Sequence, residues 1–257
     1  MTAKRFPVLF TGAGPGDPDL ITVKGQKALM QADLVIYAGS LVPEALLKWA
    51  NPNATNLNSA SLHLQEIVSE MEKGYLEGKR VVRLHTGDPS LYGAILEQMA
   101  GLEHVNIPYE VIPGVTAAFA AAAAMKIEYT LPEITQTLIL TRMAGRTPVP
   151  ESENLASLAR HKASLAIYLS ITMVDAVAEI LASAYGKDAL CAIAHRVSQP
   201  DEKIIVTRIS ELSQRVKEEG ITHQALIIAG KVFEVSRQNL QAKSKLYDEN
   251  FSHGFRK

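Results

Sequence analysis

The chain has 257 residues, 47% of them apolar, and a formal net charge of −1. That length gives one or two domains, and that apolar share can bury a large core. The balanced charge excludes an electrostatic grip on nucleic acid or an anionic membrane, and the single cysteine, Cys191, excludes an intrachain disulfide and a cysteine-built zinc or iron–sulfur centre.

The first ten residues, MTAKRFPVLF, have too short an apolar part for a signal peptide, and the Ala-rich run at 117–125 is too short to span a bilayer. The expectation is a cytoplasmic protein. Residues 8–11 read as a first strand, followed by GAGPGDPDL. Gly12, Gly14 and Gly16 have dinucleotide-fingerprint spacing, but the next required Gly or Ala is Asp17. Pro15 and Pro18 fit poorly at a helix N-terminus closing on a pyrophosphate. Asp33 lies at the distance expected of the ribose-binding acid, yet it precedes the strand predicted at 34–37. The loop therefore reads as a rigid, close-approach loop and not as an NAD or FAD site.

A helix is predicted at 22–30, a strand at 34–37, a helix at 43–50 and a polar irregular stretch at 51–61. An amphipathic helix follows at 62–73, with Leu64, Ile67, Val68 and Met71 on one face. His63 lies beside that face, where a structural role outweighs a ligand role. The stretch 81–93, VVRLHTGDPSLYG, is the centre of the pattern. Residues 81–84 form a strand, Thr86 to Pro89 break it, and helical spacing runs from 92 to 102. This is the strand-to-helix joint of a parallel sheet, and open α/β folds bind ligands at that edge. Gly87 lets a ligand approach the backbone. Asp88 either accepts hydrogen bonds from a ligand or caps the next helix. The strand at 109–112 ends in PGVTAAFAAAA, a second such joint. Its small side chains admit a neighbouring helix or a flat ligand.

The order βαβαβαβα implies a parallel sheet with right-handed crossovers. From residue 131 the pattern changes. Strands are predicted at 137–141, 165–169, 190–194, 204–207 and 225–229, with a long irregular stretch at 143–150 and one helix among the last three strands. The expected organisation is an N-terminal parallel-sheet α/β domain at 1–130, a mixed-sheet α/β domain at 131–235, and a polar tail at 236–257 that is mobile or faces a partner.

GAGPGDPDLIT at 12–22, VVRLHTGDPSLYG at 81–93 and VIPGVTAAFAAAA at 111–123 occur in an order and spacing that resemble the tetrapyrrole methylase family, the S-adenosylmethionine enzymes of sirohaem and cobalamin synthesis. The resemblance covers about residues 7–231. YAGSLV (37–42), SLHLQEIV (61–68), HTGDPSLYGAILEQ (85–98) and above all TQTLILTRMAGRTPVP (135–150) are most similar to the branch that methylates carbon 11 of a corrin precursor. His85 and Thr86 stand where uroporphyrinogen methylases typically have Lys-Gly or Gly-Gly, which argues against that step.

The resemblance implies two α/β domains with a cleft between them, a tetrapyrrole methylase fold distinct from the Rossmann-type methyltransferase fold. It implies S-adenosyl-L-methionine as methyl donor, with S-adenosyl-L-homocysteine as product, folded at the domain junction. It implies a tetrapyrrole acceptor, a homodimer, no resident metal, no nucleic acid and no membrane. Carried over by position, Pro15, Thr86, Gly87, Asp88, Leu91, Thr116 and Ala117 match cofactor contacts in the first domain. Leu169, at a position usually held by Met, Ala194 to Val197, and Ala225 with Leu226 match cofactor contacts in the second.

A sulfonium donor carries no phosphate, which agrees with a Gly/Pro loop that fails the phosphate fingerprint. Methyl transfer to an electron-rich carbon asks mainly for orientation and exclusion of water, so no nucleophile or triad is expected. A carboxylate-fringed acceptor asks for Arg and Lys. The candidates are Lys24, Arg142 and Arg146, with His63 and His85; Arg142 and Arg146 flank a Gly in a Pro-containing loop. A proton must also be managed, and Tyr37, Asp17 and His85 all remain open. The competing readings are a C-17, C-20 or uroporphyrinogen methylase, a non-catalytic dinucleotide-binding α/β module, and a diphthine-synthase-like or ribosomal-RNA methylase, which the neutral charge disfavours.

Overall fold

The computed structural model describes residues 5–39 and 41–235, and residues 244, 251, 252 and 254. Apart from those last four positions, the tail expected at 236–257 lies outside the described residues. The chain forms two compact units, Met1–Ala120 with Ser198–Pro200, and Ala121–Val197 with Asp201–Lys257.

The first unit runs β1 (Val8–Gly12), α1 (Val23–Gln31), β2 (Leu34–Tyr37), β3 (Thr55–Asn58), α2 (Leu64–Leu76), β4 (Val81–His85), α3 (Ile95–His104) and β5 (Tyr109–Ile112), and α4 (Ala117–Met125) begins within it. Its five strands are parallel, in the order β3-β2-β4-β1-β5. β2 and β4 are buried at every position, which is why they read as continuous apolar runs. Val35, Tyr37, Val82, Leu84 and Ile112 pack on one face against Ala28 and Leu29 of α1. Val8, Phe10, Ile36 and Val81 pack on the other against Ile67 and Met71 of α2 and Leu102 of α3.

The second unit holds β6 (Leu138–Arg142), α5 (Leu155–Ala159), β7 (Ser164–Tyr168), α6 (Val174–Tyr185), β8 (Leu190–His195), β9 (Lys203–Arg208), α7 (Leu212–Glu218) and β10 (Ala225–Ala229). The strand order is β6-β7-β10-β8-β9. β6 and β7 are parallel and the other pairings antiparallel, so the sheet is mixed, as expected. One core joins Leu165, Ile167, Ile193 and Ile227 to Leu181 and Leu212. Cys191 is fully buried in it, and burial pushes its thiol up to about 12, so it packs as a small inert hydrophobe.

Three expectations need correction. The irregular stretch at 51–61 contains β3, whose sequence TNLN is mostly exposed. It forms by backbone pairing with β2, from Leu34↔Thr55 to Tyr37↔Asn58, and an edge strand needs no apolar alternation for that. The helix expected at 43–50 is 3-10 in geometry at Glu44–Trp49. α3 starts at Ile95 rather than 92, because Tyr92 and Ala94 are left-handed, with φ of 57° and 48°. Among the described residues, no helix is long and apolar enough to cross a membrane, and no group of three or more His, Cys, Asp or Glu is placed to hold a metal.

The tightest point of the first unit is where β1, β4 and β5 run out. A Cβ on Gly114 would lie 2.1 Å from the Gly87 carbonyl oxygen and 2.8 Å from the Gly12 Cα, and one on Gly12 would lie 2.6 Å from the Gly114 Cα. Those neighbours are backbone and cannot move aside. Gly114→Ala is therefore expected to destabilise the protein by at least about 1–3 kcal/mol. Gly254→Ala, where nothing lies within 4 Å, should leave the urea-unfolding midpoint unchanged.

Candidate functional site

The carboxyl edge of the first sheet gathers the loops after β1, β4 and β5. The parallel ladder of β1 and β4 ends at Gly12↔His85, and beyond it the two loops bridge at Gly14↔Gly87. Ala13 N–H donates to the His85 carbonyl (2.7 Å), Gly14 N–H to the Gly87 carbonyl (3.2 Å) and Gly87 N–H to the Gly14 carbonyl (2.8 Å). A phosphate-binding loop needs its N–H groups directed at the ligand. Here the N–H groups of Ala13, Gly14 and Gly87 are spent on backbone carbonyls and that of Asp17 on the Ser198 hydroxyl, which counts against the dinucleotide reading. Pro15 is buried beside this bridge in sequence, and Asp17 accepts from Asp19 N–H (2.8 Å) to cap the 3-10 turn Pro18–Leu20.

Asp88 braces one loop against another. Its Oδ1 accepts from the backbone N–H of Ser90 (2.8 Å) and from the Ser90 hydroxyl, and its Oδ2 accepts from Gly114 N–H (2.9 Å). Burial opposes ionisation, but the bonds from Ser90 and Gly114 outweigh it and hold the carboxyl below its ordinary value. Asp88 does not cap α3, whose N-cap is Ala94 with no side-chain bond. Gly87 has φ of 59°, and a Cβ there would find only Thr116 Cα at 3.8 Å and Val115 O at 3.9 Å. The backbone at Gly87 is thus open to close approach. Thr116 is buried, while Thr86, Leu91 and Ala117 are half-buried around it in sequence.

The remaining candidates of this unit differ in environment. Tyr37 is packed in the core at the end of β2. His85, at the end of β4, is 5% exposed and its Nε2 has no hydrogen-bond partner. Burial, with the Arg83 cation adding to it, pushes its pKa down to about 3. Lys24 is exposed and paired with Glu110 at 3.4 Å. His63 is the N-cap of α2: its Nδ1 accepts from Glu66 N–H (3.4 Å) and its N–H donates to Glu66 Oε2 (2.9 Å), the reciprocal capping box. That is the structural role expected of it.

The second unit gathers its own set at one sheet edge. β6 and β7 end together at Arg142↔Tyr168, β8 ends at His195, and β10 starts opposite it at Ala225↔His195. Arg142, Leu169, Ala194, Val197, Ala225 and Leu226 therefore share that edge. Ala194, Val197, Ala225 and Leu226 are buried. Leu169 is the reverse, 62% exposed and left-handed with φ of 52°. Arg196 and Gln224, joined by an N–H to carbonyl bond of 2.9 Å, are left-handed as well. Strain of this kind, of order 1 kcal/mol per residue, concentrates where ligands bind. Arg142 turns inward on its own loop, donating through Nη1 to Thr147 O (3.1 Å) and through Nη2 to Pro148 O (2.6 Å). Arg146, on the loop so shaped, is exposed.

Sequence reasoning did not single out Arg83 and Gln98, both 5% exposed, or Tyr92. The signal for the first was present: an Arg inside VVRLH must find partners when its strand is buried.

The depressed His85 value sets a sign for acid stability. The unfolded histidine takes up its proton near 6.5 and the folded one only near 3. Its contribution is therefore intact above pH 6.5 and is lost as pH falls from about 6.5 to about 3, at up to about 1.4 kcal/mol per pH unit. Urea unfolding of the parent and of His85→Gln across that range should show a shallower decline in the variant, and histidine NMR should show His85 neutral at pH 5.

Comparison with known proteins agrees with this geometry. A profile of the family "Tetrapyrrole (Corrin/Porphyrin) Methylases" matches residues 7–213. The cobalt-precorrin-4 C(11)-methyltransferase of Methanocaldococcus jannaschii is 50% identical over 251 residues, 97% of this chain and 96% of the relative. The precorrin-4 C(11)-methyltransferase of Pseudomonas aeruginosa is 45% identical over 249 residues, 97% and 98% of the two chains. A crystal structure of a cobalt precorrin-4 methyltransferase superposes with a TM-score of 0.85 at 48% identity, over 88% of this chain and 95% of the other. The Thermus thermophilus uroporphyrin-III C-methyltransferase, solved with S-adenosyl homocysteine, superposes with a TM-score of 0.71 at 26% identity, over 89% and 93%. With its two sheets, its self-bonded glycine loops and near full-length likeness to these enzymes, the chain belongs to the tetrapyrrole (corrin/porphyrin) methylase family.

Proposed function

We propose that the protein is an S-adenosyl-L-methionine-dependent methyltransferase of cobalamin biosynthesis that methylates carbon 11 of precorrin-4 or cobalt-precorrin-4. The observation that carries this reading is the 45–50% identity, over 97% of the chain, to relatives bearing that activity in their names. The reading extends, on family resemblance, to a homodimeric cytoplasmic enzyme.

The residues present fit the donor. Its reactive centre is a sulfonium-bound methyl group, and it needs no phosphate grip. Gly87 leaves backbone open to close approach, and Asp88 fixes the loop after β4 to the loop after β5. Pro15, Thr86, Gly87, Asp88, Leu91, Thr116 and Ala117 would hold the donor from the first unit. Family resemblance assigns the second unit's donor contacts to Leu169, whose apolar side chain is exposed, and to Ala194, Val197, Ala225 and Leu226. These groups orient the donor and exclude water, which is the main source of rate for an in-line methyl displacement.

The acceptor's carboxylates call for cations. Arg142 shapes the 143–148 loop by holding its carbonyls, so its part is to position Arg146, which points no bond inward among the described residues. Lys24 completes the proposed set, and His63, also a candidate, is taken up by its capping box with Glu66. Of the proton-handling candidates, Tyr37 is held in the core, while His85 keeps a lone buried nitrogen and Asp17 a half-buried carboxylate whose Oδ1 accepts from Asp19 N–H. Burial keeps His85 neutral, so we assign it an orienting role and keep Asp17 as the proposed carboxylate for proton acceptance.

Calorimetric titration tests the donor: S-adenosyl-L-homocysteine should bind at micromolar Kd, about −8 kcal/mol, and NAD should not. Methyl-labelled donor with precorrin-4 or its cobalt form should place the label on carbon 11, and label at carbon 17 or 20 would overturn the assignment. Arg146→Ala should raise the acceptor KM and leave homocysteine-product binding intact. Equal loss of both would remove Arg146 from the acceptor side.

A further inference from the structure

The turn after Asp88 is held in a conformation its residues do not favour. Tyr92 and Ala94 are left-handed, at φ of 57° and 48°, and neither is the glycine that tolerates it. Gly93 between them sits so close to the chain behind that a Cβ would lie 2.2 Å from Pro89 O. Tyr92 is 43% exposed, so the turn presents an aromatic ring outward. Strain of this kind persists only where the surroundings over-determine it.

The surroundings here are a buried polar relay. Gln98 of α3 donates through Nε2 to Ala94 O (3.2 Å) and accepts through Oε1 from Arg83 Nε–H (2.9 Å). Arg83 Nη1 donates to Ile36 O (3.2 Å) and to Ser59 Oγ (2.9 Å), and the Ser59 hydroxyl donates to Tyr37 O (3.1 Å). Among the described residues every acceptor of Arg83 is neutral. A buried cation without a carboxylate is a poor source of stability, since its desolvation goes uncompensated. What a guanidinium supplies instead is a rigid planar fork that fixes several acceptors at once. This fork ties the end of β2 and the turn at Ser59 to α3, and through Gln98 to the strained turn.

We propose that Arg83 and Gln98 are positioning residues that hold the 92–94 turn, and that the turn presents Tyr92 to the acceptor ring. An aromatic side chain matches a flat, largely apolar macrocycle and orients it by ring contact. The inference rests on the acceptor reading above and deepens it. It adds a residue that sets the ring's plane.

Three variants test it. Tyr92→Leu removes the ring and keeps an apolar side chain. Gln98→Glu keeps an acceptor for Arg83 and removes the donor to Ala94 O. Ala94→Gly relaxes the left-handed position. Each is expected to raise the acceptor KM roughly tenfold, with affinity for S-adenosyl-L-homocysteine, read by calorimetry, within about twofold of the parent. Ala94→Gly should do so without lowering Tm, a divergence that a merely structural turn would not show. If acceptor KM and kcat stay within about twofold of the parent in all three, or if cofactor-product affinity falls in step with KM, the inference is overturned and the methyltransferase reading stands. If the parent protein binds the cofactor product but transfers no methyl group to a corrin precursor, the acceptor reading falls and this inference falls with it.

Discussion

The first unit depends on three backbones meeting with no side chain between them. Gly12, Gly87 and Gly114 come together where β1, β4 and β5 end, and the space left for a Cβ at Gly114 is only 2.1 Å from a carbonyl oxygen. Parallel strands normally diverge into separate loops at this edge. Here the loops after β1 and β4 continue to pair beyond the ladder, at Gly14↔Gly87, and the loop after β5 is drawn in by the Asp88–Gly114 bond. The result is a rim tied together by bonds among Ala13, Gly14, His85, Gly87, Asp88 and Gly114, with open backbone beside Gly87.

That rim explains the kind of ligand the edge suits. Backbone N–H groups that bond to each other's carbonyls are not available to an anion. A ligand there meets the hydrogen-bonded Asp88 brace, with the N–H groups of Ala13, Gly14 and Gly87 already used. The second unit answers the same requirement differently. At its corresponding edge Ala194, Val197, Ala225 and Leu226 are buried, while the apolar side chain of Leu169 is exposed on a left-handed backbone. Both units accept local strain at these edges, and in the first the buried Arg83–Gln98 pair sits directly behind it.

The fold was largely legible in the sequence. β2, β5 and β10 fall where the sequence pattern places them, and β1, β4 and β6 to β9 differ by a residue at their ends. Buried parallel strands carry their signal in continuous apolar runs, and the Gly-Pro joints mark where each stops. β3 was not legible, because TNLN at an edge draws its stability from pairing with β2 and not from burial. The glycine loop's failure as a phosphate site was legible from Asp17, Pro15 and Pro18. The reason became visible only with the bonds among Ala13, Gly14, His85 and Gly87.

The sequence alone determined the alternation of strands and helices, the change of pattern near residue 131, and the motifs at 12–22, 81–93 and 111–123 that carry the family. These follow from local patterning and from residue types that only certain turns accept. Tertiary structure decided what each polar residue does. Asp88 is a brace and not a helix cap, His63 a cap, Arg142 a clasp on its own loop, and His85 a neutral ring. Those roles depend on which backbone groups distant stretches leave within hydrogen-bond reach and on how much water is removed from each side chain. Both are properties of the packed chain, and spacing along the sequence does not encode them.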